Sequence, residues 1–154
     1  MINIQNKQRK FDIKPYKIEQ KLNLLLDVLG YKKYDVGLLI TTNKTIASYN
    51  QMYREKDKPT DILSFPYHPH LKAGEKIVVN QVEDKNLGDM IISLEYVEKD
   101  AENLGVTLLD RIDVLLVHGV CHLLGYDHII DADYLVMKEE EERLLELLRE
   151  KFYK

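Results

Sequence analysis

The sequence predicts an α+β fold over residues 1–154, a single domain of about four strands and about five helices. Three observations carry that expectation. Segments with the alternation or short apolar run of a strand are interspersed with segments whose apolar residues recur at helical spacing. No internal repeat, low-complexity tract or linker divides the chain, so its elements should pack as one unit. With 154 residues, 45% hydrophobic and 31% charged, the chain holds enough hydrocarbon for one core and has no compositional basis for disorder.

The elements follow in order. Ile2-Asn-Ile4 alternates like a short strand. From Pro15, Ile18, Leu22, Leu25, Leu26 and Leu29 mark one face of a helix that Gly30 stops. Tyr34 to Thr41 reads as a buried strand, and Asn43 is placed to cap a second helix through Met52. After the polar turn Arg54 to Thr60, Asp61 to Pro66 is strand-like, with Pro66 ending it where a ladder donor is dispensable. Tyr67 to Asn86 is an irregular excursion with a short strand expected at Ile77 to Val79, and Leu87 to Ser93 is the last strand. Ser93 should cap a helix ending near Gly105, and Thr107 with Asp110 opens the next, which ends near Leu124 before Gly125. Asp131 starts the final helix, with Leu135, Leu144, Leu145, Leu147 and Leu148 as its apolar members and Glu139 to Glu142 as a solvated face without metal or catalytic role.

Composition then narrows the function. The longest apolar run, Val114 to Val117, falls far short of the roughly 20 residues that span a bilayer. The amino terminus lacks the apolar stretch of a secretory signal, and the single cysteine, Cys121, has no internal disulfide partner, so the expected compartment is the cytoplasm. A net charge of −4 argues against a generic polyanion binder, but the average hides a split. Residues 1–60 hold 12 Lys/Arg and 6 Asp/Glu, a charge of +6, whereas residues 61–154 hold 10 and 20, a charge of −10. The basic half can touch phosphate; the acidic half needs a metal to do so.

The chemistry concentrates in His118-Gly-Val-Cys-His122-Leu-Leu-Gly125-Tyr-Asp-His128. His118 and His122 are i and i+4 on a helix, roughly 6 Å apart along one face, so both imidazoles reach a common ion. Gly125 lets the chain fold back and bring His128 to the same point. Three imidazoles that leave a coordination position free are a catalytic rather than a structural zinc arrangement. The spacing coincides with the metzincin motif His-Glu-x-x-His-x-x-Gly-x-x-His, which predicts a zincin-like metal helix, except that Gly119 stands where those proteases carry the glutamate base. Losing that base moves the expected substrate from peptide to phosphodiester, attacked either by water or by an adjacent ribose 2′-hydroxyl.

Around this motif, Asp127 either orients an imidazole or bonds its own backbone in the turn. Cys121 reads as a small buried hydrophobe rather than a fourth ligand, which would close the site. His68 and His70 read as loop residues. Tyr49, Tyr53 and Tyr67 could stack on bases, with core packing expected for at least two of them.

Three segments, Asn50-Gln-Met-Tyr-Arg54 through Pro66, Leu87-Gly-Asp-Met-Ile-Ile, and His118 through His128, resemble the YbeY family in the same order over most of the chain. The resemblance implies a mixed sheet of about four strands flanked by helices. It also implies a zinc-dependent, single-strand-specific endoribonuclease that matures ribosomal RNA, notably the small-subunit 3′ end, and helps remove defective ribosomes. Carried onto this chain, it places one Zn2+ on His118, His122 and His128 and the active cleft's arginine on Arg54. Cys121 stands where leucine is usual. In Arg54-Glu-Lys56-Asp-Lys58 the guanidinium fork sits with two lysines, a group suited to holding phosphate. Two other classes stay open: a non-catalytic ribosome-assembly factor with a structural zinc, and a metallopeptidase.

Overall fold

The strand pairing gives the architecture. A computed structural model describes residues 1–154 and contains β1 (Ile2–Asn6), α1 (Pro15–Leu29), β2 (Asp35–Thr41), α2 (Asn43–Arg54), β3 (Ile62–Pro66), β4 (Asn86–Ser93), α3 (Leu94–Leu104), α4 (Leu108–Leu123) and α5 (Asp131–Phe152). The four strands form one mixed sheet in the order β1-β2-β4-β3. β1 and β4 both run parallel to β2, and β3 runs antiparallel to β4.

Alternation along the strands separates two apolar layers. Leu38, Ile40, Met90 and Ile92 face one way and join a cluster of 24 buried residues built from α1, α3, α4 and α5. On the other face Leu63 and Ile91 pack beneath Ile46 of α2, with Leu39, Tyr49 and Phe65 around them. The helices are thus amphipathic for a reason: α1 buries Ile18, Leu22, Leu25 and Leu26 at i, i+4, i+7 and i+8. No helix is long and apolar enough to cross a membrane.

Several local expectations change in detail. Thr42, not Asn43, caps α2, its hydroxyl accepting from the Thr45 N–H. Asn43 instead accepts from the Ser93 hydroxyl at 2.7 Å, so Ser93 occupies the N-cap position of α3 without making a cap bond. The Glu95 carboxylate accepts from the Asn43 N–H at 2.8 Å, so the first turns of α2 and α3 are tied side by side. Thr107 and Asp110 form the expected reciprocal capping box of α4. Ile77 to Val79 is not a strand: Val78 and Val79 are exposed, and the Ile77 N–H donates to the Tyr31 hydroxyl at 3.4 Å rather than to a neighbouring strand. In α5 Leu135 faces solvent and Met137 takes the core position, joined by Leu144 and Leu148.

One polar network lies within the apolar layer. Lys21 of α1 and Asp113 of α4 are 7% and 3% exposed and pair at 2.8 Å. Tyr153 closes the triangle, its hydroxyl donating to Asp113 at 2.6 Å and accepting from Lys21 at 2.8 Å. Burial pulls the Lys21 ammonium down, but the hydrogen bonds and charge of Asp113 and Tyr153 outweigh it and leave its pKa raised. The chain ends after α5 are thereby fastened to α1 and α4.

Removing one partner strands a buried charge, so Asp113→Ala should lose about 3–5 kcal/mol in denaturant unfolding. The double variant Lys21→Met with Asp113→Leu should recover most of that loss. Because the folded pKa of Lys21 lies above its unfolded value, its contribution is present below about pH 10.4 and declines as pH rises through the folded value. Urea midpoints measured across that window should fall in the wild type and stay flatter in the double variant.

Candidate metal centre

The site is built at the carboxyl end of α4, where the helix lies close against the sheet. Gly119 makes that approach possible: an added Cβ would stand 2.4 Å from Met90 Sδ and 2.9 Å from Ile62 Cδ1. Position 119 therefore points into the helix–sheet interface. A glutamate there would bury its carboxylate among apolar groups, so the missing protease base is a packing consequence as well as a chemical one.

One turn further along, the chain leaves the helix through Gly125, at φ +92, with the Tyr126 N–H donating to the Cys121 carbonyl at 3.0 Å. A side chain at Gly125 would collide with the Leu71 carbonyl at 2.2 Å, so the excursion after β3 also holds this exit in place. The result is the return predicted from the spacing. His118, His122 and His128 each offer a ring nitrogen, all within 4.8 Å of one another, and could hold a metal ion.

The partners of the first two rings decide which nitrogen faces inward. His118 Nδ1 donates to the Glu141 carboxylate at 3.1 Å, and His122 Nδ1 donates to the Tyr126 carbonyl at 3.0 Å. Both partners are acceptors, so the protons sit on Nδ1 and the lone pairs on Nε2. Those two Nε2 atoms are 3.1 Å apart. Two lone pairs facing at that distance repel unless a cation lies between them, so the donor set fits a divalent metal. Burial, followed by the charges of His118 and His128, lowers the pKa of His122 and favours the neutral, ligating form.

Glu141 was hidden in sequence. It belongs to the Glu139 to Glu142 run expected to be a solvated face, yet α5 packs across α4 and places this one carboxylate on His118. Asp127, by contrast, accepts from the His128 N–H at 2.7 Å and makes no bond to an imidazole, which is the turn geometry. Cys121 is buried outside the histidine cluster, and burial pushes its thiol pKa up, the property of an inert hydrophobe. His68 and His70 lie in the loop and line an adjoining recess; His68 Nε2 is bonded to the Asp84 carbonyl at 2.8 Å.

Arg54 reaches the same place from the other side. It ends α2 and lines, with the three histidines, Asp61 and Ser64, a cleft of about 710 Å³. The basic turn that follows is tied down by buried Asn50, whose side-chain amide N–H donates to the Lys58 carbonyl at 2.9 Å while its backbone carbonyl accepts from the Lys56 N–H at 3.3 Å. Nothing in the sequence marked Asn50 beyond its place in the motif. Tyr49 packs into the smaller apolar cluster, whereas Tyr53 and Tyr67 are exposed, so only one of the three tyrosines serves packing.

Fold and site together define an α+β protein whose core helix presents three histidines able to hold a metal ion, in a cleft that Arg54 also lines. The comparisons with known proteins agree with that class. The family model described as Endoribonuclease YbeY matches residues 3–149. A human protein named Endoribonuclease YbeY is 38% identical over 146 residues, covering 94% of this chain and 86% of its own length. Its namesake in Caldicellulosiruptor bescii is 38% identical over 151 residues, covering 94% and 95%. The solution structure of TM1509 from Thermotoga maritima superposes with a TM-score of 0.67 at 24% identity, covering 99% of this chain and 91% of that one, a likeness of fold. The chain belongs to the YbeY family.

Glu141→Ala should weaken divalent-metal binding about 10- to 100-fold, because the ring of His118 loses the acceptor that fixes its tautomer. Competition with a chromophoric chelator reads this directly. Gly119→Glu should lower stability by at least about 2 kcal/mol, from the buried charge and the clash, and should confer no peptide cleavage.

Proposed function

We propose that this protein is a metal-dependent endoribonuclease that cuts single-stranded ribosomal RNA, with zinc as its metal and Arg54, His118, His122 and His128 as its working residues. The observation that carries the reading is the shared cleft, which is lined by the Arg54 guanidinium, a group suited to phosphate, and by three convergent imidazoles. The family model and the curated relatives bear the name of the same activity. The substrate class extends to the small-subunit 3′ end and to ribosome quality control, with the ribosome as partner and the cytoplasm as compartment.

His118, His122 and His128 would hold the zinc ion, which when bound would supply Lewis acidity and a water whose pKa is lowered to about 7. The chain's own residues do the rest. Glu141 and the Tyr126 carbonyl hold two imidazoles in the tautomer that turns Nε2 inward. Arg54 can clamp two oxygens of the scissile phosphate, with Lys56 and Lys58 attracting the flanking backbone. The charge split acquires a purpose here, since the acidic half brings the histidines and the basic half brings the arginine to one cleft.

The purified protein should cleave a single-stranded RNA, and chelation or His122→Ala should abolish the activity. Arg54→Ala should lower kcat/KM about 10- to 100-fold, the size of a lost charge-assisted hydrogen bond, and Arg54→Lys should recover only part because it lacks the fork. RNA cleavage surviving both chelation and His122→Ala contradicts the reading. Binding to ribosomes without any RNA cleavage would instead identify a non-catalytic assembly factor.

A further inference from the structure

The metal cleft does not end at Arg54. Tyr53 and Phe65, which line it, also line a second cavity of about 420 Å³ on the sheet face that α2 only partly covers. Strand register explains this cavity. Asn3, Gly37, Asp89 and Phe65 are partners in one row across all four strands, while Gln5, Leu39, Ile91 and Leu63 make the adjacent row. α2 packs over Leu63 and Ile91 through Ile46 and Tyr49, and leaves Asn3, Gly37 and Asp89, with part of the second row, lining the cavity.

The first row has a particular chemistry. An added Cβ at Gly37 would stand 2.2 Å from Asp89 Oδ1, so the bare glycine is what lets the Asp89 carboxylate lie across the sheet. At the end nearest the metal cleft, Tyr53 is 59% exposed, and its ring is held parallel to Tyr49 at 6.3 Å and edge-on to Phe65 at 5.0 Å. An aromatic ring oriented by its neighbours but left open to water is a stacking platform, and an exposed carboxylate beside it accepts from the amino edge of a base.

We propose that this face is the base-binding subsite for the nucleotides flanking the scissile phosphate. A single strand leaving the metal cleft passes over Tyr53, stacks its bases on Tyr53 and Phe65, and turns a donor edge to Asp89. The inference rests on the endoribonuclease reading. RNA is the occupant because the two cavities adjoin, with Tyr53 and Phe65 in the lining of both, and because unpaired bases, unlike a duplex, offer both a π-face and a free Watson–Crick edge. The Asp89 carboxylate keeps phosphates off the sheet and leaves them to the basic turn at Arg54, Lys56 and Lys58.

Stopped-flow anisotropy of a labelled single-stranded RNA of about 12 nucleotides on the zinc-loaded chain reads binding before any cutting. Tyr53→Ala should weaken binding about tenfold, whereas Tyr16→Ala, which removes an exposed tyrosine from α1, should not. Removing bases from the flanking nucleotides should cost the wild type the same factor and cost Tyr53→Ala nothing further, a coupling that a merely structural tyrosine would not show. Asp89→Asn should reduce the preference for cytosine over uracil in the flanking positions. Tyr53→Leu repeats the test should the alanine variant fail to fold. Unchanged binding in the Tyr53 variants, or abasic RNA binding as well as the parent, overturns the subsite and leaves this face to a protein partner. Tyr53-dependent binding without any cleavage would keep the subsite and remove the nuclease reading; cleavage with Tyr53-independent binding would keep the nuclease and remove the subsite.

Discussion

Everything at the site depends on how closely α4 lies against the sheet. The contact at Gly119 leaves no space for a Cβ between the helix and the side chains of Met90 and Ile62. That approach rotates one face of α4 into the core, burying Leu116, Val120 and Leu123, and leaves His118 and His122 on the flank that opens into the cleft beside β3. A larger residue at 119 would have to displace the Met90 and Ile62 side chains packed beneath the histidine-bearing stretch of α4. Core packing and site geometry are thus one constraint, and the acid–base group of the proteases that share this histidine spacing is incompatible with it.

The second constraint is electrostatic. Two imidazole nitrogens meet at 3.1 Å with their protons committed outward to Glu141 and Tyr126. A divalent cation bound between them would relieve the repulsion of their lone pairs, and its positive charge would offset the acidic half of the chain at the cleft. Arg54 and the lysines beyond it complete the field from the basic half, on a turn whose geometry comes from Asn50 rather than from the charges themselves. A net charge of −4 is therefore a poor guide to the local field of the cleft.

Much of this was legible in the sequence because the signals were local. The histidine spacing with Gly125, the capping box at Thr107 and the apolar stripe of α1 each lie within a few turns and appear as read. The segment from Ile77 to Val79 misled because its composition suits a strand while the sheet gives it no partner. Asn43 was the expected cap, but Ser93 and Glu95, some 50 residues away, engage it and Thr42 caps the helix instead. Glu141 could not be singled out, since four consecutive glutamates are equivalent until α5 crosses α4 and selects one. Tertiary contacts, rather than unusual local chemistry, account for each of these differences.

The central claim, that the three histidines hold the metal that makes the cleft cut RNA, is tested most directly by titrating metal-free protein with zinc. Single-stranded RNA cleavage and bound metal are followed in the same samples. The account predicts a cleavage rate that rises in proportion to bound zinc and saturates at one equivalent per chain. A rate already at its maximum before zinc is added, or one that never rises as the site fills, would contradict it.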